Sequence, residues 1–435
     1  MRIDQLEIHN FKKFADQKIE LHPHFTLLVG QNGAGKTTFL DALAVAAGIW
    51  LVRPPDSEVQ NSKRHLLKSE IRLATSQIGD RIQFKELPPA SVTAIGNLAG
   101  HDAVKWTRQN RGSNSTNDSQ AKQALEIIEA VYERDRNNEK VLCPVLAYYG
   151  AGRAWLPSNK RWTITQPKKL NRRWAAFYDC FNERIRFSEL HEWFLGETIA
   201  AGNREGRLRP GFEVVKRAVL RCVPEADGIW YDHDLKQIVL SISENAQPFD
   251  NLSAGQRMML ALIADLAIKA ITQNNFLLPA DELGADDEPL PRVLRETPGI
   301  VLIDELDVHL HPKWQRRVAT DLKTTFPNVQ FVCTSHSPQV IGEVKPEEVR
   351  LLDENVTTPN RSFGIDSSRI LEELMEAKPR NESVEALLRK LFALIDKEDF
   401  EAARTILPEL EAKLGPDDPE ITRAKTLMTF LESKS

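Results

Sequence analysis

Short runs of hydrophobic and polar residues dominate the first third of the chain. Residues 3–8 alternate with a period of two, which predicts a strand with one buried face. The uniformly apolar runs at 25–29 and 141–149 instead predict strands that are buried on both faces. Further predicted strands lie at residues 18–21, 70–74, 80–84, 91–95, 103–108, 228–231, 237–243, 299–305 and 329–334.

Longer segments show apolar residues at three- and four-residue spacing, which predicts amphipathic helices. One such helix would place Ala124, Ile128 and Val131 on a common face. An acidic, proline-rich segment at 281–298 predicts an exposed loop. The predicted helices are 38–47, 120–136, 187–195, 211–221, 258–271, 367–377, 382–396, 400–414 and 419–432. Together these elements predict an α/β fold with an all-α C-terminal tail.

Composition narrows the class of protein. With 435 residues, 41% of them hydrophobic, the chain can form two or three domains with sizeable cores. A net charge of −5 gives no global signature of nucleic-acid binding, so DNA would need a local patch. The four scattered cysteines indicate neither a zinc ribbon nor a disulfide framework, and they fit a reduced, cytoplasmic compartment. We expect no signal peptide, because residues 1–4 do not lead into an apolar h-region, and no membrane span, because no run of about 18 apolar residues occurs.

Residues 30–37 match the pattern G-x-x-x-x-G-K-[ST] of a phosphate-binding P-loop. A predicted strand precedes them and a predicted helix follows, which is the context that this motif requires. The glycines let the backbone approach a phosphate, and the helix N-terminus adds positive partial charge. Lys36 would reach the β- and γ-phosphates of ATP, and the Thr37 hydroxyl would ligate Mg²⁺. The residues predicted to bind the nucleotide are Asn32, Gly33, Ala34, Gly35, Lys36, Thr37 and Thr38.

Two carboxylates end the apolar strand predicted at residues 299–305. Asp304 would hold the Mg²⁺ hydration shell, and Glu305 would polarise the water that attacks the γ-phosphate. His336 follows the strand predicted at 329–334, at the edge where α/β sheets bind ligands. These residue types in this order predict ATP hydrolysis.

Four other polar groups each allow two interpretations. Ser253, before a predicted helix, offers a hydroxyl to an anion, although a serine N-cap is common in any helix. A lysine in the turn at 10–14 could reach the nucleotide or simply be solvated. His309 and His311 could bind zinc, but no third ligand is near them in the sequence. The run 232–234 could indicate a metal, yet a turn between two strands explains it better.

Residues 153–186 form a basic segment. They contain nine Arg or Lys and two acidic residues, and 9 − 2 gives a net charge of +7. Such a segment could bind nucleic acid, with its cations on phosphates and its indole rings on bases. It could also be a helical subdomain with a charged outer face and a tryptophan core. The interleaved tryptophans are Trp155, Trp162 and Trp174.

Four elements in this order resemble the ABC-type ATPase head that SMC, RecF and RecN proteins share. They are the P-loop, the segment Leu252-Ser253-Ala254-Gly255-Gln256, the strand ending in Asp304-Glu305 and the strand before His336. The resemblance covers roughly residues 1–355 and implies a mixed central sheet with helices plus an antiparallel β lobe. It implies ATPase lobe I at 1–154, a basic helical insertion at 155–227, ATPase lobe II at 228–355 and a C-terminal helical domain at 367–435.

The resemblance also implies that ATP is held between two heads arranged head to tail, in a homodimer or a higher oligomer. Asp307 would belong to the loop at the dimer interface, and His336 would sense the γ-phosphate. Lys12 stands where such heads often have an arginine near the nucleotide. The glutamine that usually completes the Mg²⁺ shell after the strand at 141–149 is absent, so its role has no assigned residue. The implied signature residues, which meet the nucleotide of the partner head, are Ser253, Gly255 and Gln256.

The runs at 147–153 and 303–312, together with the tail, narrow the resemblance to ATPases of bacterial anti-phage systems. Examples are the ATPase subunits of Septu and of retron-associated Septu-like systems, which work beside a small HNH endonuclease. The resemblance therefore implies a regulatory Mg²⁺-ATPase that controls a partner endonuclease. One alternative is a RecF-like, ATP-gated protein that grips DNA through 153–186. Another is a scaffold that binds ATP but barely hydrolyses it. The presence of Glu305, which would polarise the attacking water, speaks against this alternative.

Overall fold

The computed structural model describes residues 1–55, 59, 62–78, 81–154, 173–202, 204–284 and 287–433. Contacts divide the chain into two units, Met1–Ile365 and Asp366–Ser435. The strands are β1 (Arg2–Phe11), β2 (Phe14–Glu20), β3 (Phe25–Val29), β4 (Leu73–Ile78), β5 (Arg81–Glu86), β6 (Ala90–Leu98), β7 (His101–Asn110), β8 (Val145–Tyr149), β9 (Ala226–Asp232), β10 (Gln237–Ile242), β11 (Asn245–Pro248), β12 (Gly299–Ile303), β13 (Val329–Thr334), β14 (Val349–Leu352) and β15 (Val356–Thr357). The helices are α1 (Lys36–Ala47), α2 (Lys122–Arg136), α3 (Phe187–Gly202), α4 (Pro210–Cys222), α5 (Ala254–Gln273), α6 (Arg292–Glu296), α7 (Pro312–Thr325), α8 (Pro338–Ile341), α9 (Ser367–Glu373), α10 (Glu382–Asp396), α11 (Phe400–Leu414) and α12 (Pro419–Glu432).

The first unit is built on a six-stranded sheet in the order β15-β14-β3-β13-β12-β8. All neighbours from β14 to β8 are parallel, and β15 runs antiparallel at the edge. Strands β3, β8, β12 and β13 are buried along their whole length, as their apolar sequences predict. The carboxyl ends of the parallel strands meet at one edge, where the P-loop, Asp304 and His336 follow. The predicted α/β fold is confirmed.

Helix α1 packs between this sheet and a four-stranded antiparallel sheet in the order β2-β1-β6-β7. Every residue from 39 to 47 is buried, because strands cover the helix on both sides. Two side chains of β7 hold its C-terminal end. Trp106 Nε1 donates to the Ala46 carbonyl at 3.0 Å, and the buried Arg108 donates to the Val45 carbonyl at 2.6 Å. The helix that begins at the P-loop is therefore fixed within the core.

Several sequence-based predictions of local structure are wrong, among them the strand predicted at 70–74, which begins only at Leu73. Two others have a clear physical reason. The strand predicted at 141–149 begins only at Val145, because the Asn274 side chain bonds both backbone groups of Cys143, at 2.9 and 3.0 Å. The segment predicted to be an exposed loop at 281–298 contains α6, whose Val293 and Leu294 are buried against α5.

Of the basic segment, residues 153–154 and 173–186 are described, and residues 155–172, with Trp155 and Trp162, lie outside the described residues. Arg173 points into the protein. Its guanidinium donates to the Gln273 carbonyl at 2.6 Å, to the Val141 carbonyl and to Asp135. Trp174 is buried and packs edge-on against Tyr132, with ring centroids 4.9 Å apart. In the described part, Arg173 and Trp174 therefore belong to the core and do not form a nucleic-acid surface.

The second unit is all-helical, with a core of its own formed by residues such as Leu391, Leu410 and Ile421. Asn381, Asp399 and Asp418 cap the N-termini of α10, α11 and α12 with their side chains. These three helices have the predicted bounds, whereas the first helix of the tail ends at 373 and not at 377.

Candidate functional site

The P-loop joins β3 to α1 and turns through Gly33 and Gly35, whose φ angles are +80° and +105°. At Gly35 a side chain would also collide with the Phe14 ring, because an added Cβ would lie 2.4 Å from it. Lys36 Nζ donates to the carbonyls of Gly30 and Gln31, at 2.8 and 3.0 Å. Burial lowers the pKa of Lys36, while the nearby Asp304, Glu305 and Asp307 oppose this shift. The ammonium therefore faces the carboxylates at the ends of the neighbouring strands.

Of the two lysines in the β1–β2 turn, Lys13 contacts the P-loop. Its Nζ donates to the Gly33 carbonyl, and its aliphatic part lies beside Gly35. Lys12, the residue predicted to approach the nucleotide, instead pairs with Asp41 of α1 and lies 3.6 Å from Glu70. The nucleotide contact of Lys12 stays a prediction. The sequence placed both lysines in one turn, but it could not show which one faces the loop.

Thr37, Asp304 and Thr334 form a hydrogen-bonded array between three elements. Thr37 Oγ1 donates to Asp304 Oδ2 at 2.9 Å, and Thr334 Oγ1 donates to Asp304 Oδ1 at 2.6 Å. Asp304 is buried, and its backbone N–H extends the β-ladder to the Tyr149 carbonyl at 2.8 Å. Because the Thr37 proton is directed at the carboxylate, the oxygen lone pairs remain available to a cation. This array fits a Mg²⁺ ion bound to nucleotide phosphates.

The described residues contain no group of three His, Cys, Asp or Glu side chains that could hold a metal. Mg²⁺ in nucleotide sites is usually held by only one or two protein groups, with phosphates and waters completing its octahedron. Thr37 and Asp304 match that requirement. Bound there, Mg²⁺ would neutralise charge that develops on the phosphates.

Glu305 follows Asp304 in a left-handed backbone conformation, with φ +49°. Such a conformation is unfavourable for a residue with a side chain, so it persists only where the surroundings hold it. Thr334 maintains it from both sides: its Oγ1 accepts the Glu305 N–H at 2.7 Å, and its carbonyl accepts the Leu306 N–H at 2.8 Å. The half-buried Glu305 follows directly on Asp304, and its charge acts on both Lys36 and His336.

Asp307 and His336 meet at the same sheet edge. Asp307 Oδ1 accepts hydrogen bonds from the Ser335 hydroxyl at 2.5 Å and from the His336 N–H at 3.4 Å. Burial lowers the pKa of the half-buried His336, and the charge of Lys36 lowers it further. These two effects favour the neutral imidazole, which can both donate and accept a hydrogen bond, whereas Asp307, Glu305 and Asp304 oppose them.

Residues 252–256, called the signature segment after the role that the resemblance implies, lead into α5 and lie against the loop after Asp307. Ser253 and Gln256 form a capping box: the Ser253 N–H donates to Gln256 Oε1 at 2.8 Å, and Ser253 Oγ accepts the Gln256 N–H at 3.3 Å. A Cβ at Gly255 would come within 2.5 Å of the His309 carbonyl, so only glycine fits this approach. The exposed Ser253 therefore lies on a helix N-terminus that the Asp307 loop positions.

The other polar groups have structural partners. His311 accepts the Lys313 N–H at 3.2 Å and caps α7. Asp232 Oδ1 accepts the Leu235 N–H at 2.8 Å within the turn between β9 and β10.

Two family models match the chain. One, described as "AAA domain", matches residues 5–195 and includes the P-loop. The other, described as "AAA domain, putative AbiEii toxin, Type IV TA system", matches residues 242–342, which include Ser253, Asp304 and His336. The two matched ranges contain β3 and β8, and β12 and β13, and these strands are part of the same parallel sheet. None of the described helices is long and apolar enough to cross a membrane.

Similar proteins include a retron Vc95 probable ATPase from Vibrio cholerae serotype O1 biovar El Tor. It is 22% identical over 93% of this chain and 85% of its own length. A Septu protein PtuA from Bacillus thuringiensis is 24% identical over 96% of this chain and 95% of its own length. Two further relatives are longer, and the chain spans 31% and 40% of them.

Among solved structures, an SMC head bound to the C-winged helix domain of ScpA aligns with 82% of this chain and 98% of its own, at 15% identity and a TM-score of 0.47. The family matches and the relatives identify the chain as an ATPase, similar over most of its length to a retron probable ATPase and to a Septu protein PtuA.

Proposed function

We propose that the chain binds and hydrolyses Mg²⁺-ATP between two copies of itself and thereby regulates a partner endonuclease in bacterial anti-phage defence. The observation that supports it best is the array of Thr37, Asp304 and Thr334 beside Glu305. Thr37 and Asp304 hold the metal-bound nucleotide, and Glu305 accepts a proton from the attacking water. The other nucleotide contacts are proposed for the P-loop backbone from Asn32 to Gly35, for Lys36 and for Thr38.

The signature segment supports the use of two heads. The α5 N-terminus presents Ser253, Gly255 and the Gln256 region as an anion-binding end, supported by the loop after Asp307. We assign this end to the γ-phosphate held by the other copy, and His336 to sensing the same phosphate from its own copy. Dimerisation would then depend on ATP, and hydrolysis would release the two copies.

The defence role rests on similarity to proteins named as a retron ATPase and as Septu protein PtuA, each over most of this chain. The proposed partner is a small HNH-type endonuclease in the cytoplasm. An ATP-dependent dimer would give such a partner two distinct surfaces, one with ATP bound and one without.

The paired variants Glu305→Gln and Ser253→Arg test the ATPase proposal. Glu305→Gln should lower ATP turnover by about 100-fold or more, because the general base is lost, while ATP stays bound. With Mg²⁺-ATP this variant should accumulate as a dimer in analytical ultracentrifugation. Phosphate release and bound nucleotide are measured in parallel.

Adding Ser253→Arg to Glu305→Gln should keep ATP binding and abolish the dimer, since the arginine side chain would fill the contact with the partner's phosphate. Equal turnover in wild type and Glu305→Gln would refute the catalytic assignment. A dimer that forms equally well with Ser253→Arg would refute the sandwich.

A further inference from the structure

Tyr148, on the edge strand β8 of the site's sheet, has a buried hydroxyl without a hydrogen-bond partner among the described residues. Only 2% of the residue is exposed. Burial raises the pKa of this phenol well above its ordinary value, so the group is a neutral O–H at every physiological pH. A buried hydroxyl that bonds nothing is unfavourable, and such groups in proteins usually have a partner in another state or a bound water.

The strand register places Tyr148 on the face of the sheet that also carries Asp304. Tyr148 of β8 lies in register with Leu302 of β12, two residues before Asp304. Because side chains alternate along a strand, Tyr148, Leu302 and Asp304 share one face of the sheet. Tyr148 and Leu302 also belong to the core that packs on α1. The tyrosine therefore lies beneath the helix that begins with Lys36 and Thr37.

The carboxylates of Asp41 and Asp304 are the charged groups that act most strongly on the Tyr148 hydroxyl. Asp41 is one helical turn beyond Thr37 on α1, and it already pairs with Lys12 and with Arg64, the latter at 3.6 Å. Asp304 accepts from Thr37 and Thr334. Tyr149, the next residue, points to the opposite face, where its hydroxyl donates to Asp265 at 2.5 Å. Of the two adjacent tyrosines, only Tyr148 faces the metal side.

We propose that Tyr148 is a positioning residue for the metal-bound nucleotide, with its hydroxyl bonded to a water of the Mg²⁺ hydration shell that Asp304 also holds. This inference rests on the proposed function. The hydroxyl supplies a polar contact from β8 that the absent glutamine after that strand would otherwise supply. Its neutral form suits the task, because a phenol oxygen can accept a hydrogen bond from a metal-bound water.

The test compares Tyr148→Phe with Tyr149→Phe, each in the Glu305→Gln background so that ATP is not consumed. Binding of a fluorescent ATP analogue is titrated with Mg²⁺, and thermal melts are recorded without nucleotide. Tyr148→Phe should raise the Mg²⁺ concentration at half-saturation by about 5- to 10-fold, the effect of one lost hydrogen bond. Its affinity for the analogue in EDTA should match the parent, and its melting temperature without nucleotide should not fall.

Tyr149→Phe is the matched control, because its hydroxyl has a partner inside the protein. It should lower the melting temperature without nucleotide and leave the Mg²⁺ midpoint unchanged. An unchanged midpoint in Tyr148→Phe would overturn the inference, and so would a clear loss of stability without nucleotide, which would indicate a purely structural hydroxyl. If the Glu305→Gln parent binds no Mg²⁺-ATP, the proposed function fails and the inference fails with it.

Discussion

At the scale of single residues, two neighbouring lysines of the β1–β2 turn make contacts with different parts of the protein. Lys13 contacts the P-loop carbonyl of Gly33, whereas Lys12 joins a cluster with Asp41, Arg64 and Glu70. In that cluster the two acids are buried and each has more than one cationic partner. Lys13 thus supports the nucleotide loop, and Lys12 supports the packing of α1 against its surroundings.

This division predicts opposite phenotypes for two alanine variants. Lys13→Ala should weaken ATP binding by about 3- to 10-fold, since one charge-assisted contact near the phosphates is worth about 1 kcal/mol. Lys12→Ala should leave affinity nearly unchanged and lower the free energy of unfolding by about 1 kcal/mol, because Arg64 still pairs with Asp41. Isothermal titration with ATP and urea unfolding measure the two effects. The reverse pattern would show that Lys12 is the nucleotide contact.

At the scale of elements, the sequence predicts the bounds of a helix or strand best where no long-range contact overrides the local pattern. The strand at 25–29 and the helices at 382–396, 400–414 and 419–432 have the predicted bounds. Strand β8 is shorter than its apolar run because Asn274, far away in sequence, bonds the backbone of Cys143. The acidic, proline-rich composition around α6 predicted a loop. The helix forms there because two of its apolar residues are buried against α5. In both cases, contacts with residues far away in the sequence determined the local structure.

The same reasoning changes how the basic segment should be tested. Arg173→Ala should destabilise the first unit by about 2–4 kcal/mol, because it removes three hydrogen bonds and leaves Asp135 without its partner. Arg136→Ala, an exposed position on α2 close to Asp135, is the control and should cost less than about 0.5 kcal/mol. Thermal melts measure both.

If an Arg173 variant binds DNA less tightly, the loss would be attributed to unfolding unless the variant is shown to be folded. A well-folded Arg173→Ala protein of wild-type stability that binds DNA less tightly, with a smaller salt dependence, would contradict the core assignment. It would also favour the RecF-like alternative.

At the scale of the whole molecule, the candidate site depends on an arrangement that no single motif specifies. The P-loop, the two carboxylates and His336 converge because β3, β13 and β12 are parallel neighbours. The sequence indicates each strand but not their order in the sheet, since pairing joins residues 25–29 with residues about 300 positions away. The hydroxyl of Tyr148 was equally hidden, because an apolar run gives no sign of which tyrosine faces the metal side.

The proposed role in a complex makes a prediction about the intact assembly. The tagged protein, expressed from its own locus with its neighbouring genes, should co-purify with a small HNH-type endonuclease in a fixed ratio, measured by mass spectrometry and native mass. A variant of the second unit with Phe430→Asp provides a first probe of docking, because this ring is 53% exposed and its change should spare the core. Recovery of DNA without any protein partner would refute the endonuclease proposal and favour an ATP-gated DNA-binding protein.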